Sequence, residues 1–109
     1  MESSIEKATV CFVEEIRKSD IYKEYNYQKE KLKRQPELFN EVLAYRRENY
    51  VIQTNTPEEE LFERMDAFEK EYEKFLEDPL VDGFLQAEVA FCRMMQEINV
   101  RITTDLDFE

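Results

Sequence analysis

Glycine is almost absent from this chain: Gly83 is the only one among 109 residues, and there are only three prolines. Glycine and proline mark most turns, so their scarcity favours long helices joined by short connections. Each proline stands at the start of a run whose apolar residues recur every three or four positions. Proline is well tolerated in the first turn of a helix. The sequence therefore predicts an all-α fold.

The N-terminal half is predicted to contain three helices. In residues 4–18 the apolar positions Ile5, Ala8, Phe12 and Ile16 line one face, and Val13 widens it. Ser19 or Asp20 is suited to cap a second helix, which ends near residue 35. A third helix begins at Pro36 and runs toward residue 53, and the break between these two helices could instead be a kink.

The C-terminal half is predicted to be a long antiparallel helical hairpin over residues 57–104. Thr56 and Glu59 have the spacing of a capping box, with Pro57 in the first helical turn. Asp78 and Pro79 repeat this combination of a capping residue and a proline. A connection this short makes the two helices antiparallel neighbours. The tail, residues 105–109, is expected to be frayed. The predicted hairpin and the helices of residues 1–53 make one domain of about five helices.

A chain of this length buries only about 65% of its unfolded surface, so self-association is expected to add stability. The apolar stripes of the two hairpin helices alternate steps of three and four, as in a coiled-coil seam. We therefore expect a homodimer or a higher oligomer, and leave open whether the N-terminal helices pack within one copy or exchange between copies. The predicted seam residues are Leu61, Met65, Phe68, Tyr72, Phe84, Phe91, Met94 and Ile98.

Several residue types that enzymes use are missing. The chain has no histidine, which excludes Ser-His-Asp catalysis and imidazole-ligated zinc. One glycine cannot form a phosphate-binding loop. We expect a non-catalytic protein without a cofactor. No apolar run approaches the roughly 20 residues that span a bilayer, and the N-terminus lacks a signal peptide, so a cytoplasmic protein without membrane insertion is expected.

The charge is unevenly distributed along the acidic chain, whose formal net charge is −11. Residues 17–34 hold seven bases and three acids (7 − 3 = +4), whereas residues 57–78 hold three bases and ten acids (3 − 10 = −7). The basic stretch is a candidate partner-binding surface for an acidic protein. The alternative is a solvated helix face or one docked against the acidic helix. Direct nucleic-acid binding is not expected, because the body repels polyanions. The candidate residues are Lys23, Lys29, Lys31, Lys33 and Arg34.

Cys11 and Cys92 lie beside apolar residues without a metal-type spacing, so both are predicted to be reduced and to act as small buried side chains. Two thiols are too few for an iron–sulfur cluster unless copies share it. A metal-binding regulator that uses both cysteines is therefore the less favoured alternative. The acidic pairs in residues 63–73 show no pocket that would suit acid–base catalysis.

The last predicted helix, DPLVDGFLQAEVAFCRMMQEINVRI, carries a pattern of known type. An Asp78-Pro79 corner is followed by Val81, then Phe84-Leu85, then Ala87-Glu88, and the seam ends in Gln96-Glu97-Ile98. An early helix, a tyrosine-bearing second helix, and Phe39 with Arg46 in the third precede it. In this order of elements the chain resembles the YlbF/YmcA family, also called YheA/YmcA-like, of small helical bacterial regulators.

The resemblance implies an all-α, non-enzymatic cytoplasmic regulator that self-associates through its long helices. Some family members act in a complex that assists an endoribonuclease and influences competence, sporulation and biofilm formation. A larger RNA-processing assembly is therefore the implied partner. Those members have cysteines toward the C-terminus that are associated with iron–sulfur clusters. This chain has none after Cys92 and resembles the shorter branch of the family.

Overall fold

The computed structural model describes residues 3–108, and within that range the protein is all-α, as predicted, with six helices and no strand. The helices are α1 (Ser3–Lys18), α2 (Asp20–Lys33), α3 (Pro36–Asn55), α4 (Glu58–Glu71), α5 (Glu73–Glu77) and α6 (Pro79–Asp105). The connections are one or two residues long, which agrees with the scarcity of glycine.

Two of the predicted caps are present. The Ser19 hydroxyl accepts a hydrogen bond from the Tyr22 amide at 3.1 Å, and the Asp78 carboxylate accepts one from the Leu80 amide at 2.9 Å. The predicted capping box at Thr56 is wrong. Thr56 ends α3 instead, the extended Pro57 stands at the N-cap of α4, and no side chain caps this terminus.

The predicted helix of residues 57–77 is interrupted at Tyr72. The backbone there, with φ −98° and ψ 8°, leaves the helical range, although the Tyr72 amide still donates to the Phe68 carbonyl at 3.1 Å. The interruption separates α4 from α5. Helix α5 is only about one and a half turns long and leads into the Asp78–Pro79 corner. The change of direction brings α5 against α6 and leaves α4 free to lie elsewhere.

The most extensive packing in the molecule is between α2 and α6, while α3 packs on α4 and α2. The hairpin of two long helices is not shown by the structure, because α4 lies against α3 and only the short α5 packs against α6. The aromatic contacts described below explain this choice of partner. The buried core is formed where α2, α3 and α6 meet, by Leu32, Val42, Val81 and Phe84.

The C-terminal end of α6 is held by its own backbone. The Phe108 amide donates to the Thr103 carbonyl at 2.8 Å, and the Asp107 amide donates to the Thr104 carbonyl at 3.1 Å. Asp107 has a positive φ of 55°. These are the bonds of a Schellman motif, which satisfies carbonyls that a frayed end would leave to water. The frayed tail of residues 105–109 stays a prediction, and Glu109, like Met1 and Glu2, lies outside the described residues.

Candidate protein-binding surfaces

Four of the five candidate basic residues lie on α2 and Arg34 is its C-cap, but the five do not share one face. Lys23, Lys31 and Arg34 follow the helical repeat and lie on one side, with Tyr27 between them. Lys31 Nζ lies 5.0 Å from the centroid of the Tyr27 ring. Lys29 and Lys33 lie on a second side, where Lys29 Nζ is 5.4 Å from the Tyr25 ring that packs on α6. We call Lys23, Tyr27, Lys31 and Arg34 the basic surface.

The bases of the basic surface form no close ion pair within the described chain, although Asp20 and Glu30 lie on the same side of α2 by the helical repeat. The ion pairs of residues 3–108 lie within α1, α4 and the end of α6 or join Arg46 to Glu88, and none includes a base of residues 20–34. The acidic α4 packs on α3 and not on α2. Docking of the basic stretch on the acidic helix, one of the two alternatives raised by the sequence, is therefore not what the fold shows.

The α4 part of the predicted seam is used inside the chain. Phe68 is buried and stacks on Tyr45 of α3, with ring centroids 5.2 Å apart, and Tyr72 meets the same ring edge-on at 5.1 Å. Met65 and Leu61, one and two turns before Phe68, are half-buried. This aromatic cluster ties α4 to α3, so the stripe that resembled a coiled-coil seam has a partner in its own chain.

The predicted seam residues of α6 form two groups along the helix, one packed within the chain and one that is only partly covered. Phe84 is buried, and Phe91 stacks on Tyr25 of α2 at 4.9 Å, so this half of α6 packs within the chain. Met94 and Ile98 are only half-buried. They line an open groove between α6 and Phe12 of α1, with a volume of about 370 Å³. The C-terminal half of α6 thus retains an apolar face that its own chain does not cover.

A charged pair that the sequence reasoning missed supports the aromatic layer. Arg46 of α3 forms an ion pair with Glu88 of α6, and its guanidinium lies 5.8 Å from the Phe84 ring. Burial, and then the Glu88 carboxylate, raise the pKa of Tyr25, whereas Arg46 lowers it. The signal was present in the sequence, because Arg46 and Glu88 each interrupt an otherwise apolar helical stripe, the place where a charge needs a partner.

The two cysteines are exposed, so the prediction that they are small buried side chains is wrong. Cys11 lies on the side of α1 away from the Ile5–Phe12 stripe, and Cys92 is on the outward side of α6 beside Phe91. No set of three or more histidine, cysteine, aspartate or glutamate side chains in residues 3–108 is arranged to hold a metal ion. The acidic side chains Glu63, Asp66, Glu69 and Glu73 are all exposed. Among the described helices, none is long and apolar enough to cross a bilayer.

Comparison with known families gives one match. The family described as control of competence regulator ComK, YlbF/YmcA, matches residues 5–107. The chain belongs to the YlbF/YmcA family. The match confirms the resemblance inferred from the Asp78–Ile98 pattern and from the order of the preceding helices, and it covers the chain from α1 to the end of α6. No curated protein and no solved structure shows significant similarity to the chain.

YlbF/YmcA membership assigns the chain to a family related to the control of competence. In this member the prominent surfaces are the basic surface of α2, the acidic face of α4 and the uncovered apolar faces of α1 and α6. The surfaces differ in charge, and so they suit different occupants.

Proposed function

We propose that this YlbF/YmcA protein is a non-catalytic regulator that acts in the bacterial cytoplasm as an adaptor, by binding a larger protein. The observation that carries the proposal is the basic surface of α2, whose cations have no ionic partner among residues 3–108. Complementary charge raises the rate of association and selects among partners. Tyr27, which lies exposed among these cations, adds the aromatic contact area common in binding surfaces.

The chemistry of the surface favours an acidic protein over RNA. The molecule carries a net charge of −11, and the acidic residues 57–78 alone contribute −7, so an extended polyanion meets repulsion over most of the surface. A local acidic patch on a folded partner needs to approach α2 only. An RNA-processing assembly of the kind in which YlbF/YmcA proteins act is the partner class we propose, with contact through protein and not through RNA.

Affinity capture with crosslinking tests the proposal directly. The tagged full-length chain is recovered from its own cytoplasm, with and without nuclease, at about 0.1 M and about 1 M salt, where the Debye length falls from about 10 Å to about 3 Å. The test variant is K23E/K31E/R34E. We expect the partner to bind the unmodified chain in a nuclease-resistant manner, and recovery to fall at least about tenfold in the variant or at high salt.

A control variant separates this surface from total charge. R47E/R64E/K74E changes the net charge by the same amount at three exposed positions on α3, α4 and α5. Capture by the control should remain near that of the unmodified chain. Equal capture by both variants would remove the basic surface from the interface, and nuclease-sensitive capture would replace the protein partner with RNA.

A second candidate function, a structural protein that only assembles with itself, is favoured by the uncovered apolar faces of α1 and α6. The capture experiment distinguishes the two functions. Recovery of this chain alone, at both salt concentrations, would replace the adaptor with the self-assembling protein, whereas recovery of a second protein that depends on Lys23, Lys31 and Arg34 would support the adaptor.

A further inference from the structure

Helix α4 carries the most exposed large apolar side chain among residues 3–108: Phe62 is 82% exposed. Its neighbour Leu61 and the buried Phe68 follow the helical repeat on the side that packs on α3, and Phe62 lies outside that side. Phenylalanine is also a weaker helix former than glutamate or lysine, so α4 gains no helical stability from it. The packing of the described chain therefore does not account for an aromatic ring at this position.

Carboxylates surround Phe62 on the exposed side of α4. Four exposed acids follow the helical repeat on this side: Glu58, Glu59, Asp66 and Glu69. Of these, only Asp66 has an ion-pair partner among residues 3–108, and this pair with Lys70, at 3.1 Å, is exposed and therefore weak. We call Phe62 and the four acids the acidic aromatic face. The face is about 16 Å long, since its ends are 11 residues apart on one helix.

A similar combination of groups is already covered inside the molecule. Phe84 and Glu88 of α6 are four residues apart, which is also the spacing of Phe62 and Asp66. Helix α3 supplies Arg46 to them: its guanidinium forms an ion pair with Glu88 and lies 5.8 Å from the centroid of the Phe84 ring. The acidic aromatic face has the ring and the carboxylates, but no arginine of residues 3–108 pairs with its acids or lies over its ring.

The chemistry of the face selects a basic occupant. Residues 57–78 carry a charge of −7, so an acidic segment is repelled from α4 and a basic one is attracted. Arginine suits the face better than lysine, because its planar guanidinium stacks on an aromatic ring and donates two parallel hydrogen bonds to one carboxylate. An aromatic side chain inside a polar rim is also a common composition of protein interfaces.

We infer that the acidic aromatic face binds an arginine-containing basic segment of another protein, with an arginine held between the Phe62 ring and a neighbouring carboxylate. The contact resembles the internal one of Arg46 with Phe84 and Glu88. It lies on α4, whereas the proposed adaptor contact lies on α2, and so the two surfaces take partners of opposite charge. The inference does not rest on the proposed function, since it uses no residue of the basic surface.

Photocrosslinking from position 62 tests the inference. The full-length chain carries the photoreactive residue p-benzoylphenylalanine in place of Phe62, which keeps an aromatic ring there, and it is irradiated in its own cytoplasm. Mass spectrometry of the digested adduct identifies the crosslinked segment. We expect a segment of another protein that contains arginine and has a net positive charge, and we expect the adduct to be lost at about 1 M salt, where the Debye length is about 3 Å. The same group in place of Tyr50, an exposed aromatic residue of α3, is the control and should not form this adduct.

Two triple variants of the photoreactive chain separate the face from total charge. E58Q/E59Q/E69Q removes three of the surrounding carboxylates and should reduce the adduct at least about fivefold. E37Q/E60Q/E71Q removes the same charge at exposed positions outside the face and should leave the adduct unchanged. The triple variant of the basic surface should also leave it unchanged, so failure of the acidic aromatic face and failure of the proposed function are distinguishable.

The crosslinked segment, prepared as a synthetic peptide, separates recognition of arginine from attraction between charges. A version with lysine at each arginine keeps the charge and should bind the purified chain at least about fivefold more weakly. Phe62→Leu keeps an apolar side chain and a strong helix former but removes the ring, and it should abolish most of this preference for arginine.

Four results would overturn the inference. These are the absence of an adduct, an adduct equally strong from the Tyr50 position, a crosslinked segment without net positive charge, and a crosslinked segment of this same chain. Equal affinity of the arginine and lysine peptides for the unmodified chain would also overturn the role of arginine. Circular dichroism of each variant excludes loss of helicity as the cause of a weaker adduct.

Discussion

Tyr72 connects three features of the molecule at one residue. It separates α4 from α5, its ring packs against Tyr45, and its hydroxyl donates a hydrogen bond to Glu48 Oε2 at 2.6 Å. The carboxylate accepts only while the tyrosine keeps its proton, since a phenolate beside Glu48 would add repulsion. The hydrogen bond, and then burial, raise the pKa of Tyr72 to about 12.

This raised pKa predicts a loss of stability at high pH. Below pH 10 the tyrosine is protonated in the folded and the unfolded chain. Between pH 10 and about 12 the unfolded chain releases the proton while the folded chain retains it, so the free energy of unfolding falls as the pH rises. Tyr72→Phe should cost about 1 kcal/mol at pH 8 and progressively less toward pH 12.

Urea unfolding at several pH values compares the unmodified chain with Tyr72→Phe. Tyr50→Phe is the control, because Tyr50 is exposed and its hydroxyl donates to no carboxylate among residues 3–108. The difference between the unmodified chain and Tyr72→Phe should shrink above pH 10, while the difference for Tyr50→Phe stays constant. A Tyr72→Phe difference that is the same at pH 8 and pH 11.5 would contradict the assignment of the hydrogen bond.

At the scale of helices, the α2–α6 pair holds the fold together, and Phe84 is its central side chain. Phe84 is 1% exposed and touches Leu32, Val42 and Val81 across three helices. Phe84→Ala should lower the free energy of unfolding by about 3–5 kcal/mol, whereas Phe62→Ala, on the exposed face of α4, should change it by no more than about 0.5 kcal/mol. Chemical unfolding followed by circular dichroism measures both. Similar losses for the two variants would show that α2 and α6 do not form the core.

The local signals in the sequence predicted where most helices begin. Ser19, Pro36 and Asp78–Pro79 each define a start that the structure confirms, because caps and prolines act within one helical turn. Thr56 is also a capping residue type followed by a proline, but in the structure it is the C-cap of α3. Pro57 takes the N-cap position of α4, and a proline side chain has no acceptor with which to cap the helix.

The pairing of helices could not be predicted in the same way. Periodicity shows that α4 and α6 each have an apolar stripe, but it does not show which helix covers the stripe. The decision depends on Tyr45, which lies on α3 and collects Phe68, Tyr72 and Phe75 around one ring. The same limit applies to the candidate surface: the helical repeat separates Lys29 and Lys33 from Lys31, but only the fold shows that Lys29 lies beside the Tyr25 ring that packs on α6.

For the whole molecule, the open shape depends on the corner between α1 and α2. Ser19 is the single residue between the helices, and its backbone continues their hydrogen bonding: its amide donates to Ile16 and its carbonyl accepts from Lys23, both at 3.0 Å. The Ser19 hydroxyl also donates to the Ile16 carbonyl at 2.6 Å. With four bonds at the corner, counting the bond from Tyr22, α1 is held at a fixed angle to α2 and is not free to fold back on its own α6.

This corner predicts that a single copy keeps its open shape in solution. At a protein concentration low enough to leave single copies, the radius of gyration by small-angle scattering should be about 18 Å, near the 17.9 Å of the structure and well above the roughly 13 Å of a compact chain. A value near 13 Å would show that α1 folds back onto α6, which would contradict the corner. Ser19→Gly is the companion variant: it removes the hydroxyl bonds and loosens the corner, and so it should allow α1 more positions and broaden the distribution of interatomic distances.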